Sequence, residues 1–296
     1  MITGANGYTG KHACYYFKQK GYHVVAVTRN IIGLIENQIT HEYCELTDKK
    51  SVYNLIHKTK PEYLLHLAGQ NHVPQSWKDP ISSFESNVMS TAYLIDAIRI
   101  ANPTCKIIIV GSALQFNPNE LSSLLHPYSL SKTIQTLIAQ SWERLYGMNL
   151  IIAKPSNLIG PGVSNGVCSI LAKKVVDMEF NNAEKILELN NQYVKRDFLD
   201  VRDAIVAYDT LFKNGLSGKT YDISTGKSKY LKEITDTLYR FSTIEFTVKS
   251  IENKRENTEE IVPSLLQNMG WQPTISFEQS LQEILTYFRE QKRNLS

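Results

Sequence analysis

The chain has 296 residues and a formal charge of only +3, from 32 Lys and Arg against 29 Asp and Glu. With 42 % hydrophobic and 21 % charged residues it has a globular make-up, long enough for one large domain or a domain with a smaller lobe. This balance argues against a nucleic-acid surface or an electrostatic membrane anchor, no run reaches the ~20 apolar residues that a bilayer span needs, and the start is not a signal peptide. Four widely spaced cysteines, Cys14, Cys44, Cys105 and Cys168, contain no C-x-x-C pair and read as reduced thiols of a cytoplasmic protein.

Only Met1, Ile2 and Thr3 precede the first glycine, against a usual strand of ~5–6 residues, so the natural start is expected upstream of Met1. Thr3-Gly4-Ala5-Asn6-Gly7-Tyr8-Thr9-Gly10 then spaces its glycines as G-x-x-G-x-x-G. Glycine lets a backbone turn tightly and approach a pyrophosphate whose charge rests on a helix N-terminus, so the turn predicts dinucleotide binding. A helix follows from Lys11 to Lys20, with Ala13, Tyr16 and Phe17 on one face and Gly21 as its stop. His23 to Val27 is the next strand. A carboxylate at its end would take the ribose hydroxyls. Val27-Thr28-Arg29-Asn30 has none, and Arg29 suits a ribose phosphate, which favours NADP(H) with NAD(H) as the alternative. Glu45, in Cys44-Glu45-Leu46-Thr47-Asp48, is expected near the adenine.

Tyr63 to Leu67, Lys106 to Val110 and Asn149 to Ala153 are further short, continuously apolar runs that suit parallel strands covered on both faces. Helices are predicted around Ala92 to Ile100 and from Ser129 to Tyr146. The second places Leu130, Ile134, Leu137, Ile138, Ser141, Trp142 and Leu145 on one face and stops at Gly147. The apolar stripes of these two helices fit either a dimer interface or a buried intrachain face. Alternating strand and helix predict an α/β fold with a doubly wound parallel sheet. Ile159-Gly160-Pro161-Gly162 breaks the alternation. Short strands at Thr220 to Ile223 and Glu245 to Val248, with a final helix carrying Phe277, Leu281, Ile284, Leu285 and Phe288, read as a smaller C-terminal α/β lobe packed on that sheet. The expected division is residues 1–163 plus about 193–213 for the dinucleotide domain, and about 164–192 plus 214–296 for the substrate lobe.

Tyr128-Ser129-Leu130-Ser131-Lys132 puts a phenol and an ammonium four residues apart, on one face of a helix. A nearby cation is expected to pull the phenol below its ordinary ~10 towards the working range of an acid–base catalyst. Ser112 stands just past a strand end in Val110-Gly111-Ser112, where this topology places ligands. The histidines at 12, 23, 41, 57 and 126 form no ligand spacing, so no metal is expected.

These residues together resemble the extended short-chain dehydrogenase/reductase family, in its nucleotide-sugar branch of epimerases, dehydratases and reductases. The resemblance spans nearly the whole chain. His66-Leu67-Ala68-Gly69-Gln70-Asn71-His72-Val73 resembles the branch's H-L-A-A-Q-S-H-V, with Ser76, Asp79-Pro80 and Asn87 following. Lys154-Pro155-Ser156-Asn157-Leu158-Ile159-Gly160-Pro161-Gly162 is similar to R-P-F-N-x-I-G-P-G. Lys195 to Asp203 resembles R-R-D-F-x-D-V-R-D, and Gly270-Trp271-Gln272-Pro273 resembles the terminal G-W-x-P.

The resemblance implies a Rossmann-type sheet and a triad of Ser112, Tyr128 and Lys132, with Lys132 also on the nicotinamide ribose. It implies cofactor contacts from Gly4, Asn6, Gly7, Tyr8, Thr9, Gly10, Arg29, Glu45, Leu46, Leu67, Ala68, Gly69, Asn87 and Pro155. Gln70, His72, Ser112, Asn157, Arg196 and Arg255 would meet the sugar nucleotide, the arginine forks on its diphosphate; for His72 a packed structural role is the equal alternative. Dehydratases of the branch carry an acidic pair after the catalytic hydroxyl residue. Here Ala113-Leu114 follows Ser112, and neither side chain titrates, which disfavours dehydration. The segment looks most like the branch's 4-keto-6-deoxyhexose reductases. The expected activity is NADPH-dependent reduction of the 4-keto group of a GDP- or UDP-linked 4-keto-6-deoxy sugar, in a homodimer. The alternatives are a 4-epimerase with tightly held NAD and a non-catalytic dinucleotide sensor.

Overall fold

The computed structural model describes residues 1–29, 39–180, 184–255 and 259–294. The described strands are β1 (Ile2–Thr3), β2 (Val24–Thr28), β3 (Ile39–Tyr43), β4 (Tyr63–His66), β5 (Lys106–Val110), β6 (Leu150–Pro155), β7 (Asn157–Ile159), β8 (Ile186–Asn191), β9 (Lys195–Asp200), β10 (Thr220–Ile223), β11 (Ser228–Tyr230) and β12 (Thr247–Glu252). The helices are α1 (Tyr8–Gln19), α2 (Lys49–Thr59), α3 (Val73–Lys78), α4 (Pro80–Phe84), α5 (Ser90–Ala101), α6 (Pro127–Tyr146), α7 (Val167–Phe180), α8 (Val201–Asn214), α9 (Leu231–Phe241), α10 (Ser264–Gln267) and α11 (Phe277–Arg293). No described helix is long and apolar enough to cross a membrane.

Seven strands form one sheet in the order β10-β6-β5-β4-β1-β2-β3. From β3 to β6 this is the 3-2-1-4-5-6 order of a Rossmann-type fold, and β1 to β6 all run parallel. β1, although two residues long, pairs on both sides, Thr3 with Val27 and with His66. Leu64, Ile107, Ile109, Leu150 and Ile152 bury one side of the sheet against Val52, Ile56, Leu94, Ile95 and Ile98 of α2 and α5. The common register aligns the carboxyl ends of β1, β4, β5 and β6, and the strand order reverses between β1 and β4.

The chain divides into Met1–Pro155 with Ile205–Tyr221, and Ser156–Ala204 with Asp222–Ser296. The first break comes at Pro155, earlier than the expected 163, because β7 pairs with β9 rather than continuing the large sheet. The return comes at 205–221 rather than about 193–213, since β9 in turn pairs with β11 in a three-stranded sheet of the second unit. That unit has its own core, in which Leu171, Val175 and Val176 of α7 meet Ile234 and Leu238 of α9 and Leu281, Ile284 and Leu285 of α11.

The Lys195 to Asp203 segment holds this second unit together through its carboxylates. Asp197 accepts from Ser156 Oγ at 2.6 Å and from the Thr225 hydroxyl at 2.6 Å and its N–H. Buried Asp200 takes both guanidinium bonds of Arg202 and the Ser280 hydroxyl. Asp203 accepts from the Thr274 hydroxyl and from the N–H groups of Thr274 and Ile275, and its carbonyl takes the Trp271 indole N–H at 3.1 Å. The R-D-F-x-D-V-R-D and G-W-x-P segments thus bind each other. Asp203→Ala leaves these donors unpaired in a buried place and is expected to cost at least about 2 kcal/mol, read as a lower urea midpoint by tryptophan fluorescence.

Candidate active site

Residues of the first unit gather at the carboxyl ends of its strands, where an open parallel sheet holds ligands. The glycine turn follows β1, Leu67 to Gln70 follow β4, Ser112 follows β5 and Pro155 ends β6. The turn is built by crowding. Gly4 has φ +67°, and a Cβ on it would lie 2.8 Å from the Ala68 nitrogen. A Cβ on Gly10 would lie 2.1 Å from the Gly4 carbonyl oxygen, so only glycine brings α1 this close to the turn. α1 starts at Tyr8, directly after Gly7 and three residues before the predicted Lys11. Its N-terminus carries no side-chain cap and no acidic residue. An unneutralised helix N-terminus behind a turn that no Cβ fits suits a phosphate-bearing dinucleotide. Asn6 is exposed, while Tyr8 and Thr9 are half-buried, with the Tyr8 ring edge-on to His12.

The expected contacts at the ends of β2 and β3 divide. Arg29 is exposed directly past β2. The Glu45 carboxylate is engaged by its neighbour, accepting from Thr47 Oγ1 at 2.9 Å and Thr47 N–H. The Leu46 side chain is packed in the apolar core.

Helix α6 carries Tyr128 and Lys132, and its burial differs from the apolar stripe predicted for it. Leu137 and Leu145 are exposed, whereas Tyr128, Ser129, Ser131, Lys132, Thr133, Gln135, Thr136 and Ala139 are buried. The inward face is polar, and most of its groups find partners, the buried Gln135 Oε1 being an exception. The Tyr128 N–H donates to Ser76 Oγ at 3.1 Å, and Lys132 Nζ donates to the Val110 carbonyl at 2.7 Å. Ser131 Oγ accepts from Asn87 Nδ2 at 2.9 Å, and the Asn87 Nδ2 and Oδ1 also hold the Gln70 backbone. Asn87 sits in a π-helical turn, Glu85–Met89, between α4 and α5. Under it runs a buried relay. The Thr91 hydroxyl donates to the Asn87 carbonyl, so His66 Nε2 donates to Thr91 Oγ1, and His66 Nδ1 accepts from Thr3 Oγ1 at 2.7 Å. Gln135 Nε2 also donates to Thr91 Oγ1. No sequence motif marks this relay or Gln115. The available signal was the density of Ser, Thr and Gln on the face of α6 opposite its apolar stripe.

The electrostatics correct one expectation. Burial pushes the Tyr128 phenol above its ordinary value rather than below it, and the group opposing that rise is Ser112, through a side-chain hydrogen bond. Lys132 is itself pushed down to about 7 by burial. Desolvation outweighs the attraction between the two charges that the spacing alone suggested.

His72 is exposed, and its carbonyl caps α3, taking Gln75 and Ser76 N–H and Gln70 Nε2. Asn157, Arg196 and Arg255 belong to the second unit. There Asn157 Nδ2 donates to the Asp197 carbonyl, Arg196 Nη1 to the Lys195 carbonyl, and Arg255 lies over the Tyr193 ring at 5.8 Å.

The profile of the NAD dependent epimerase/dehydratase family matches residues 1–224. The GDP-6-deoxy-D-mannose reductase of Pseudomonas aeruginosa is 26 % identical over 309 aligned positions, covering 99 % of this chain and 98 % of the relative. The structure of RMD from Pseudomonas aeruginosa complexed with NADPH superposes with TM-score 0.81 at 24 % identity, covering 98 % of both chains. The UDP-glucose 4-epimerase of Thermotoga maritima with UDP-glucose gives 0.84 at 20 % identity over 98 % of both chains.

His66 is pushed down to about 3 by burial, with the Lys132 charge adding to it. The unfolded chain takes up this proton below pH ~6.5 and the folded one does not, so stability is complete above that pH and falls below it. The slope attributable to His66 is about 0.7 kcal/mol per unit at pH ~6.5 and approaches about 1.4 kcal/mol per unit by pH ~5. Urea midpoints against pH should show that loss in the wild type and not in His66→Gln.

Proposed function

The chain belongs to the NAD dependent epimerase/dehydratase family, and on that premise we propose that it reduces the 4-keto group of a nucleotide-linked 4-keto-6-deoxyhexose with NADPH. That the chain is an NAD(P)-dependent enzyme acting on a nucleotide sugar follows from the family match and the full-length relative. Reduction of the keto group is supported by the buried phenol. An acid for a carbonyl oxygen must hold its proton at the working pH, and burial keeps Tyr128 protonated there. The uncharged Ala113 and Leu114 beside Ser112, both exposed, offer no acid–base pair for elimination, which supports reduction over dehydration.

In this reading the glycine turn and the N-terminus of α1 hold the dinucleotide diphosphate, Arg29 a ribose phosphate and Lys132 the nicotinamide ribose. A nicotinamide held there would supply hydride to the keto carbon. Tyr128 gives its proton to the oxygen of that carbonyl. Ser112 Oγ accepts the Leu114 N–H at 3.1 Å, and its own proton, which bonds the Tyr128 phenol in the free protein, turns to the same carbonyl oxygen when substrate is in place. Lys132, one turn along α6, offsets the phenolate charge once the proton has left. Gln70, Asn157, Arg196 and Arg255 are assigned to the sugar nucleotide, GDP- or UDP-linked, and the reaction to the cytoplasm. The outward stripe of α5 and α6, with Ile100, Leu137 and Leu145 exposed, supports a homodimer.

The test is a panel of GDP-, UDP- and dTDP-linked 4-keto-6-deoxy sugars incubated with NADPH, following loss of reduced-nicotinamide absorbance and product NMR. Stoichiometric NADPH consumption with a new secondary alcohol is expected. Interconversion of nucleotide sugars without net NADPH use would replace this reading by the epimerase one. Tyr128→Phe is expected to lose ~10²–10⁴-fold in turnover while NADPH still binds, measured by nicotinamide fluorescence.

A further inference from the structure

We propose that Gln115 is a positioning residue whose side-chain amide clamps the Ser112 loop to α6 and so sets the serine hydroxyl against the Tyr128 phenol. Gln115 follows Ser112 by three residues, and its own N–H closes back on the Ser112 carbonyl at 3.3 Å. Its Nε2 then spends both protons on α6, one on the Lys132 carbonyl at 2.9 Å and one on Thr136 Oγ1. The Thr136 hydroxyl donates onward to the same Lys132 carbonyl at 3.1 Å, so the three groups form a closed ring of hydrogen bonds. A Cβ on Gly111 would lie 3.1 Å from Gln115 Nε2, which places the amide directly against the residue before Ser112.

The clamp lands on the residue that also carries the ammonium. Lys132 holds the Val110 carbonyl through Nζ, and its own carbonyl holds Gln115, so the helix grips the end of β5 and the loop beyond it at two points. Phe116 adds a third, donating its N–H to Thr133 Oγ1 at 3.1 Å. Between these anchors Ala113 and Leu114 are exposed, and the loop's other backbone tie is Ala113 N–H to the Pro155 carbonyl at 3.3 Å. Ser112 Oγ accepts from Leu114 N–H, which orients its proton outward from the loop. With the loop held, that proton reaches the phenol oxygen. With Gln115 unable to donate, the loop pivots on Phe116 and the serine–tyrosine bond lengthens.

The kinetic part of this inference rests on the reductase reading, and the spectroscopic part does not. Protein with tyrosine isotopically labelled at Cζ is compared as wild type, Gln115→Leu, which removes the amide, and Gln115→Asn, which keeps it but is too short to span. The Tyr128 signal is assigned from Tyr128→Phe. Both Gln115 variants are expected to shift the Tyr128 Cζ signal of the protein without added nucleotide, and to leave NADPH binding unchanged. On the sugar accepted by the wild type they should lose about tenfold or more in kcat with KM altered by less than about threefold. A Tyr128 signal unchanged in both variants overturns the proposal, as does a loss carried by KM alone. If the wild type turns over no sugar of the panel, the reductase reading falls and the Cζ signal still decides the role of Gln115. If Gln115→Leu fails to fold, Gln115→Asn decides it by the same signal.

Discussion

A polar helix face buried against a parallel sheet needs partners for its groups, and the way α6 finds most of them builds the candidate site. Unpaired polar groups in such a place cost roughly 1–3 kcal/mol each. The Lys132 ammonium is met by the strand-end carbonyl of Val110, Ser131 by Asn87, and Gln135 by Thr91. Val110 ends β5, Asn87 lies in the π-helical turn and holds the Gln70 backbone beyond β4, and Thr91, in α5, binds His66 at the end of β4. Satisfying α6 therefore aligns the ends of β1, β4 and β5, the same place where Gly4, Gln70 and Ser112 lie.

Much of the fold was legible because its strands obey one rule. Runs such as Ile107 to Val110 are apolar at every position, which suits two-sided burial, and β5 (Lys106–Val110) covers that run. The final helix was legible from the period of Leu281, Ile284, Leu285 and Phe288, all buried. The division of the chain was less so. Whether Asn157 to Ile159 extends β6 or starts a new sheet depends on pairing with Phe198 to Asp200, forty residues further on, and no local pattern encodes a distant partner.

The site shows the same split. The glycine turn is a local object, and its spacing reports it. The stripe on α6 fits either an interface or an inner face, and its spacing does not show that hydroxyls, an amide and an ammonium fill most of the buried side. The phenol–ammonium spacing likewise identified the right residues and the wrong balance. Proximity along a helix says nothing of how much water the fold removes, and removal of water governs both Tyr128 and Lys132.

The carboxylates of Asp197, Asp200 and Asp203 are taken up by hydroxyls, amides and a guanidinium of their own unit. A stretch committed in this way to architecture can stay unaltered while the molecule it serves is exchanged for another. Likeness along it accordingly speaks for a shared scaffold rather than for a shared substrate.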